Sequence, residues 1–399
     1  MESKRFFRWT LVPAAMRALP RPIKIFSIIT LIYTLGWGII GPYLPLFFKE
    51  QLGTYTGVGL VSGLLPLFSI FWSLALGEIL DKVSKRSIIS FVLLLYLPLS
   101  TILLGMKTLG QFTLFRIYHS GIASAFWVAG EAYVRVHSPK GKEASAIGAW
   151  DFAGAGALTF GALLGASLIG IFGWSLIYAV SICAGLALVA SIIYLPDHDG
   201  KPFFPGLRSL LKAGLLRQEL RDMWAAKKLL YVTIFAFFFL FGWTALGMVL
   251  PLFLDSIGAD FIQIGLITAA YYASDFAEPL FAATKRPRRV VFIGILISTL
   301  LFVVLFFVKN LAWAFILSVL LGFAISAVYP ILLGKMGQLM PRNKVGEFSA
   351  VTYAIRGIGA GLGPIIAGLM SDLYGLQYAF LLCGIVFAGM MFFIDKMEF

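Results

Sequence analysis

The sequence predicts an all-α integral membrane protein with about twelve transmembrane helices in two pseudo-symmetric six-helix bundles. Three observations predict this fold class: an apolar composition, a one-sided distribution of basic residues, and an internal repeat. Of the 399 residues, 60% are hydrophobic and only 13% are charged. A water-soluble globule of this size cannot bury so much apolar surface. The composition therefore nearly excludes the soluble enzyme classes.

The apolar stretches are long enough to cross a bilayer, which needs roughly 20 residues per helix. We number them spans 1 to 12 in chain order. They are 23–48, 57–80, 87–106, 110–134, 144–169 and 174–195, then 229–254, 261–284, 290–308, 311–336, 348–372 and 376–395. The predicted domains are a basic tail at 1–22, an N-terminal bundle at 23–195, a linker at 196–228 and a C-terminal bundle at 229–396. Leucines alternate with basic residues in the linker, which indicates an amphipathic surface helix, with a solvated tether as the alternative.

Basic residues fall almost entirely on one side of this layout. The loops after spans 1, 3 and 9 carry only Lys49, Lys107 and Lys309, whereas the tail, the linker and the loops after spans 2, 4, 8 and 10 hold nearly all the others. Basic loops stay on the cytoplasmic side. We therefore expect both termini in the cytoplasm and the protein in the plasma or inner membrane. The net charge of +13 then reflects topology rather than nucleic-acid binding.

The two halves of the chain repeat each other. The sequence LGWGIIGPYLPLF at 35–47 matches FGWTALGMVLPLF at 241–253, and VGLV at 58–61 matches IGLI at 264–267. GAG at 154–156 on span 5 matches GAG at 359–361 on span 11. Such repeats occur in secondary transporters, which bind their substrate between the halves near the midplane.

The loop after span 2 carries the strongest local motif, GEILDKVSKR at 77–86. With it, the region from residue 23 to 396 resembles the major facilitator superfamily. The resemblance implies that this loop latches the outward-open state, with Asp81 held by the start of span 11. The residues assigned to this conformational motif are Gly77, Asp81, Lys82, Lys85 and Arg86. The alternative is that the basic residues serve topology alone.

Two further features resemble motifs of the same family. Arg116 and His119 on span 4 are similar to its arginine motif, which implies a role in proton relay or substrate binding. The glycine-rich stretches of spans 5 and 11 resemble its antiporter motif, and close helix packing explains them equally well. The helix-packing candidates are Gly154, Gly156, Gly161, Gly359, Gly363 and Pro364.

Five ionisable residues within the spans are candidates for proton coupling or substrate binding: Asp151, Asp275, Glu278, Glu131 and Arg356. An acid at the bilayer centre costs about 2.5 to 3.5 kcal/mol on insertion scales, so such groups usually face a cavity or a partner. Span 5 neighbours span 8 in the family, so the three acids on these spans are expected to meet and to carry protons. The alternative is structural pairing, Asp151 with Arg356 and Glu131 with a nearby arginine.

Aromatic residues recur at matched positions of spans 1 and 7. We expect Trp37 and Trp243 to line the cavity, together with Tyr43, Tyr271 and Tyr272. Packing against lipid is the alternative for any single aromatic side chain.

The function predicted from these features is secondary active transport by alternating access, with proton-coupled export of small amphipathic molecules. Nutrient uptake or lipid transport by the same fold is the alternative, and a membrane receptor is the candidate from another class. No enzyme is expected, because the sequence offers no metal or phosphate-binding motif. Both cysteines lie in apolar runs, so neither a disulfide nor a cofactor is predicted. The expected partners are a small-molecule substrate, protons and the lipid bilayer, with no nucleic acid, and the protein is expected to be a monomer.

Overall fold

The computed structural model describes residues 19–80, 83–139, 143–196, 226–282, 284–340 and 345–397. Within these ranges every predicted span coincides with a helix or a run of helical segments, and no strand occurs. The all-α membrane fold is confirmed. Asp81 and Lys82 of the loop motif, nearly all of the predicted tail and most of the predicted linker lie outside the described residues.

The N-terminal half contains spans 1 to 6. Their helices are Arg21–Ile40 and Leu44–Leu52, Tyr55–Leu80, Lys85–Leu95 and Leu99–Leu104, Leu109–His137, Glu143–Phe172, and Tyr178–Tyr194. Span 1 is interrupted by a 3-10 turn at Gly41–Tyr43, which contains Pro42. Span 4 begins with a capping box, in which Thr108 and Gln111 satisfy each other's backbone N–H groups.

The C-terminal half contains spans 7 to 12. Their helices are Lys227–Ser256, Phe261–Ala273 and Glu278–Ala282, Pro287–Phe307, Leu311–Leu339, Val345–Tyr374, and Leu376–Ile394. Span 8 also begins with a capping box, formed by Asp260 and Gln263. It is interrupted by a 3-10 turn at Ser274–Ala277, which contains an acidic residue.

Nine helical stretches in the described ranges are long and apolar enough to cross a membrane. One of them, Ala146–Tyr194, covers spans 5 and 6 together, so these stretches account for ten spans. Spans 4 and 8 do not reach the threshold. Both contain polar and charged side chains among their apolar residues, such as Arg116 in span 4 and Asp275 and Glu278 in span 8. The two least apolar spans are thus the ones that carry Arg116 and Asp275.

The two halves pack in the same way. In the N-terminal half span 1 packs on spans 5 and 6, span 2 on span 4, and span 3 on spans 4 and 6. In the C-terminal half span 7 packs on spans 11 and 12, span 8 on span 10, and span 9 on spans 10 and 12. Each pair in one half has its counterpart in the other, which is the predicted pseudo-symmetry. Span 2 packs on span 11 and span 5 on span 8, and these contacts join the halves.

Glycines allow the closest approaches between helices. Gly161 of span 5 lies against the backbone of Gly38 on span 1, and Gly359 and Gly363 of span 11 lie against backbone carbonyls of span 7. These contacts join equivalent pairs of spans, 1 with 5 and 7 with 11, although the glycines themselves stand at different positions of the repeat. The predicted packing glycines Gly154 and Gly156 have more space, because added Cβ atoms would meet only the Trp127 and Phe276 rings, at 3.7 and 3.9 Å. Pro364 lies inside the helix of span 11, and its carbonyl faces Gly59 of span 2.

We expect Gly161→Ala to lower the thermal stability of the purified protein. Its new methyl carbon would lie 2.6 Å from Gly38 Cα, so spans 1 and 5 would have to separate, at a cost of about 1 to 3 kcal/mol. The matched control is Gly170→Ala on the same helix, where no atom lies within 4 Å of the added carbon. Thermal unfolding in detergent measures both variants. Equal midpoints for the two variants would contradict the close contact.

Candidate functional site

A cavity of about 750 Å³ lies between the two halves. Spans 1, 2, 4 and 5 line it on one side, and spans 7, 10 and 11 on the other. Its wall is largely apolar, for example at Leu44, Phe48, Leu65 and Met248, with hydroxyl groups such as that of Ser62 placed among these side chains. This size and mixture are typical of a pocket for a small amphipathic molecule.

One end of the cavity is closed by hydrogen bonds between the halves. The backbone N–H groups of Tyr55 and Thr56, at the start of span 2, donate to the two carboxylate oxygens of Asp372 on span 11, at 2.9 and 2.7 Å. The Tyr43 hydroxyl donates to the carbonyl of Phe261 at 3.1 Å. A carboxylate at a helix N-terminus is stabilised by the partial positive charge there. We call this end the latch end.

The cavity is open at the opposite end, where the basic loops after spans 2, 4, 8 and 10 begin. We call this end the basic end. The side chains that line the cavity near it are accessible: Glu131 is 48% exposed, Tyr353 42% and Trp127 38%, and Asp151 is also exposed. At the latch end Phe48 is 1% exposed. The structure is therefore in a state with access from one side of the membrane.

Arg116 lines the cavity and is 5% exposed. Its Nε donates to the carbonyl oxygen of Val61 on span 2 at 2.7 Å, and its Nη1 lies 3.2 Å from His119 Nδ1. Arginine can only donate, so His119 Nδ1 accepts and carries no proton. Both partners of the guanidinium are therefore neutral.

His119 is held on its other side by Trp37 of span 1. The two rings are stacked, with centroids 4.5 Å apart and planes within 9°. Trp37 thus packs behind the arginine, as part of the wall that holds His119. The structure brings together Arg116, His119 and Trp37, which the sequence analysis had assigned to two different roles.

Asp275 lies in the 3-10 turn of span 8 and is partly buried. The Ser326 hydroxyl of span 10 donates to its carboxylate at 2.7 Å, and the Ser274 hydroxyl lies 3.1 Å from that of Ser326. No basic side chain forms an ion pair with Asp275 in the part of the chain that the structure describes. The next residue, Phe276, packs on Phe152 of span 5 with ring centroids 5.2 Å apart.

Glu278 connects the acidic residues of spans 5 and 8 electrostatically. It interacts with the charges of both Asp275 and Asp151, and Tyr329 of span 10 interacts with Glu278, Asp151 and Arg356. Asp151, Glu278 and Arg356 thus lie near enough to act electrostatically on one tyrosine that sequence reasoning missed. The sequence carried no signal that set Tyr329 apart from the other aromatic residues of the spans.

The proposed structural pairs differ from each other. Glu131 forms an ion pair with Arg135 one turn away, with an N–O distance of 2.5 Å, at the exposed end of span 4. Asp151 and Arg356 form no ion pair, and the buried Arg356 Nε has no hydrogen-bond partner among the described residues. Arg356 instead lies 5.9 Å from the Tyr353 ring.

The aromatic lining comes from side chains other than the predicted ones. Trp37, Tyr43, Trp243, Tyr271 and Tyr272 are not among the residues that line this cavity. Trp243 lies one layer behind it, with its ring centroid 5.0 Å from that of Tyr329, and Tyr43 is fully buried at the latch end. The aromatic residues that do line the cavity are Phe48, Trp127, Trp150, Tyr329 and Tyr353. Sequence position offered a signal for two of them, because Trp127 lies one turn from Glu131 and Trp150 adjoins Asp151.

The described part of the loop motif lies at the basic end. Gly77 is within the helix of span 2, Lys85 is buried at the start of span 3, and Arg86 Nη2 donates to the carbonyl of Ile192 on span 6 at 2.7 Å. Arg86 therefore ties span 3 to span 6 within one half. Nowhere in the described ranges do three His, Cys, Asp or Glu side chains group as metal ligands would.

The chain matches the family model of the Major Facilitator Superfamily over residues 26–277 and 232–396. The two overlapping matches together cover almost the whole of both bundles.

Curated relatives and solved structures agree with this match. The "Multidrug resistance protein MdtG" of Klebsiella pneumoniae (strain 342) is 23% identical over 374 residues, which is 90% of this chain and 88% of the relative. The structure of the nucleoside transporter NupG is 14% identical, with a TM-score of 0.73, and covers 95% of this chain and 100% of its own. The structure of a bacterial homologue of the human lysosomal transporter Spinster, in its inward-facing and occupied conformation, is 15% identical, with a TM-score of 0.73, and covers 94% and 96%. At these identities the structural likeness shows the fold.

Proposed function

Because the chain belongs to the major facilitator superfamily, we propose that this secondary transporter exports small amphipathic molecules in exchange for protons. The observation that carries the proposal is the cavity between the halves, with the carboxylates of Asp151 and Glu131 on its accessible wall. Two further carboxylates, those of Asp275 and Glu278, lie on span 8, which packs on span 5, the span that carries Asp151.

Alternating access explains the closed and open ends. In the present state a solute enters from the basic end and meets the apolar wall and its hydroxyl groups. Breaking the Asp372 contact at the latch end and closing the basic end would expose the same cavity to the other side. We place the basic end in the cytoplasm, since the basic residues crowd there, so solute would be loaded from inside the cell.

Unpaired acids support proton coupling. A carboxylate within the membrane is costly unless it has a partner, and among the described residues the side chain that donates to Asp275 is the Ser326 hydroxyl. Glu278 interacts with the charges of both Asp275 and Asp151, so full ionisation of all three is unfavourable and at least one carboxyl is suited to bind and release a proton.

The MdtG relatives are named multidrug resistance proteins, which favours export of several amphipathic compounds over uptake of a single nutrient. A largely apolar wall fits such a substrate range, because apolar contacts discriminate weakly between solutes of similar size. We further propose that the protein acts as a monomer, with its complete cavity formed by one chain.

Transport into inside-out vesicles tests the proposal. We expect at least one amphipathic compound from a panel of cationic, neutral and anionic dyes to accumulate when the vesicle lumen is acidic. Accumulation should stop when a protonophore removes the gradient, because outward proton flow provides the driving force. Vesicles without the protein are the control.

Two outcomes would contradict the proposal. Accumulation that persists with the protonophore would show that transport is not driven by the proton gradient. Movement of solute and protons in the same direction would contradict export and support the uptake alternative.

A further inference from the structure

Arg116 is a buried cation without a counter-ion. It is on the cavity wall and 5% exposed, yet it forms no ion pair with any acid of the described chain. Its two hydrogen-bond partners, Val61 O and His119 Nδ1, are both neutral. Buried charges in proteins are normally paired, because removing an isolated charge from water is strongly unfavourable. Among the described residues the site therefore has no negative group to pair with this cation.

The guanidinium retains donors for such a group. Arginine has five N–H bonds, of which Nε–H and one on Nη1 are engaged. Three N–H bonds remain, one on Nη1 and two on Nη2, so both terminal nitrogens can still donate. A pair of N–H bonds with one from each of these nitrogens forms the fork that binds a carboxylate or phosphate with two parallel hydrogen bonds. Val61 and His119 fix the orientation of the fork before a ligand arrives.

The position of Arg116 divides the cavity by charge. Fifteen residues separate it from Glu131 on the same helix, which is about 22 Å along the helix axis. Glu131 and Asp151 lie near the open basic end, whereas Arg116 lies deeper, beside Phe48, whose ring centroid is 5.0 Å from the guanidinium carbon. The deep part of the cavity thus combines one positive charge with apolar side chains such as Leu44 and Pro45.

We propose that Arg116 is the anion-binding residue of the cavity, and that the transported solutes include small organic anions with a carboxylate or phosphate on an apolar body. The inference rests on the proposed transport function and names a substrate class for it. The acidic group binds the Arg116 fork, and the apolar body lies against Phe48 and the neighbouring aliphatic wall. Glu131 and Asp151, the acids that line the cavity, lie near the basic end, away from the deep part in which Arg116 would bind the anion.

A structural role is the competing explanation. The Arg116 bond to Val61 joins spans 2 and 4, and this tie would exist without any ligand. The two explanations differ in what the binding of a negative charge does. A purely structural arginine confers no preference between an anion and its neutral isostere.

The test uses the full chain in nanodiscs at pH 7, with 4-phenylbutyrate and its neutral amide as probes. The readout is the rise in unfolding temperature as each probe is titrated. We expect 4-phenylbutyrate to bind roughly tenfold or more tightly than the amide, since a bidentate ionic contact is lost in the amide. Arg116→Gln should abolish this preference, and Arg116→Lys should weaken it, because lysine keeps the charge and loses the fork.

The matched control is Arg288→Gln, which removes an exposed arginine paired with Asp395 at the basic end. It should keep the full preference for the anion. Because the anion and the amide are compared within one protein, a general loss of stability in a variant cancels. If Arg116→Gln does not fold, the Arg116→Lys comparison decides alone.

Three outcomes overturn the inference: equal binding of anion and amide to the wild type, an unchanged preference in Arg116→Lys and Arg116→Gln, or equal stabilisation by inorganic phosphate, which would indicate a simple ion site. Failure of the vesicle experiment is a separate result. Proton-driven transport restricted to cationic or neutral dyes would support the proposed function and contradict the anion site. An Arg116-dependent preference for the anion, without a response of transport to the pH gradient, would support the anion site and contradict proton-coupled export.

Discussion

Replacing Asp275 with asparagine should abolish proton-driven transport while the protein remains folded. Asparagine keeps the size of the side chain and an oxygen that accepts from Ser326, so the contact between spans 8 and 10 is preserved. It cannot bind and release a proton. Since Asp275 has no basic partner among the described residues, we expect its charge to serve function rather than stability. The expected loss is complete for uptake driven by an acidic vesicle lumen.

Asp395→Asn is the control for this prediction. Asp395 is an exposed acid at the end of span 12, paired with Arg288, so its neutralisation should leave transport unchanged. Chromatographic behaviour and unfolding temperature report whether both variants fold. Normal transport by Asp275→Asn, with the pH dependence of the wild type, would remove Asp275 from the proton site.

Replacing Asp372 with asparagine should open the latch end. The carboxylate accepts two backbone N–H bonds at the start of span 2 and faces the positive end of that helix. Hydrogen bonds to a charged group contribute about 1.5 to 3 kcal/mol, and asparagine loses the charge and one acceptor oxygen. The population open at the latch end should therefore rise roughly tenfold or more. The variant acts on only one of the two states, because the contact exists only while this end is closed.

Cysteine labelling measures this shift. In a background with both native cysteines replaced, Ser62→Cys places a thiol on the cavity wall. A membrane-impermeant maleimide applied from the latch end should label it faster in Asp372→Asn. Glu50→Gln is the matched control, since Glu50 lies at the same end of the N-terminal half and accepts a hydrogen bond from Trp174 Nε1 of its own half at 2.7 Å. Equal labelling rates for the two variants would show that Asp372 does not hold the latch end closed.

The loop motif at 77–86 predicts a contact that would close the basic end, whereas the Asp372 contact closes the latch end. There Asp81, which lies outside the described residues, would be held by the start of span 11 and would stabilise closure of the basic end. Asp372 on span 11 faces the start of span 2 at the latch end. Each state would then be held by one acid at one helix N-terminus of the same pair of spans.

The sequence by itself determined the family, the all-α membrane fold and the pairing of equivalent helices. Physical constraints acting along one helix are enough for these features. A span needs about 20 apolar residues, basic residues remain on one side, and the repeat at 35–47 and 241–253 relates the halves directly. Residue counting also predicts depth, since each residue rises about 1.5 Å along the axis. Arg116 and Glu131 could be placed at different depths in this way.

Only the tertiary structure decided which side chains at a given depth face one another. Lateral neighbours depend on how each helix is rotated about its axis, and nearly uniform apolar spans carry little information about that rotation. Trp37 therefore turns out to stack on His119, and Tyr329, not Trp243, reaches the cavity. Asp151 and Arg356 occupy equivalent positions of the repeat without forming an ion pair. That Arg116 has no counter-ion among the described residues is likewise a tertiary property, because it depends on which side chains the neighbouring helices place around the guanidinium.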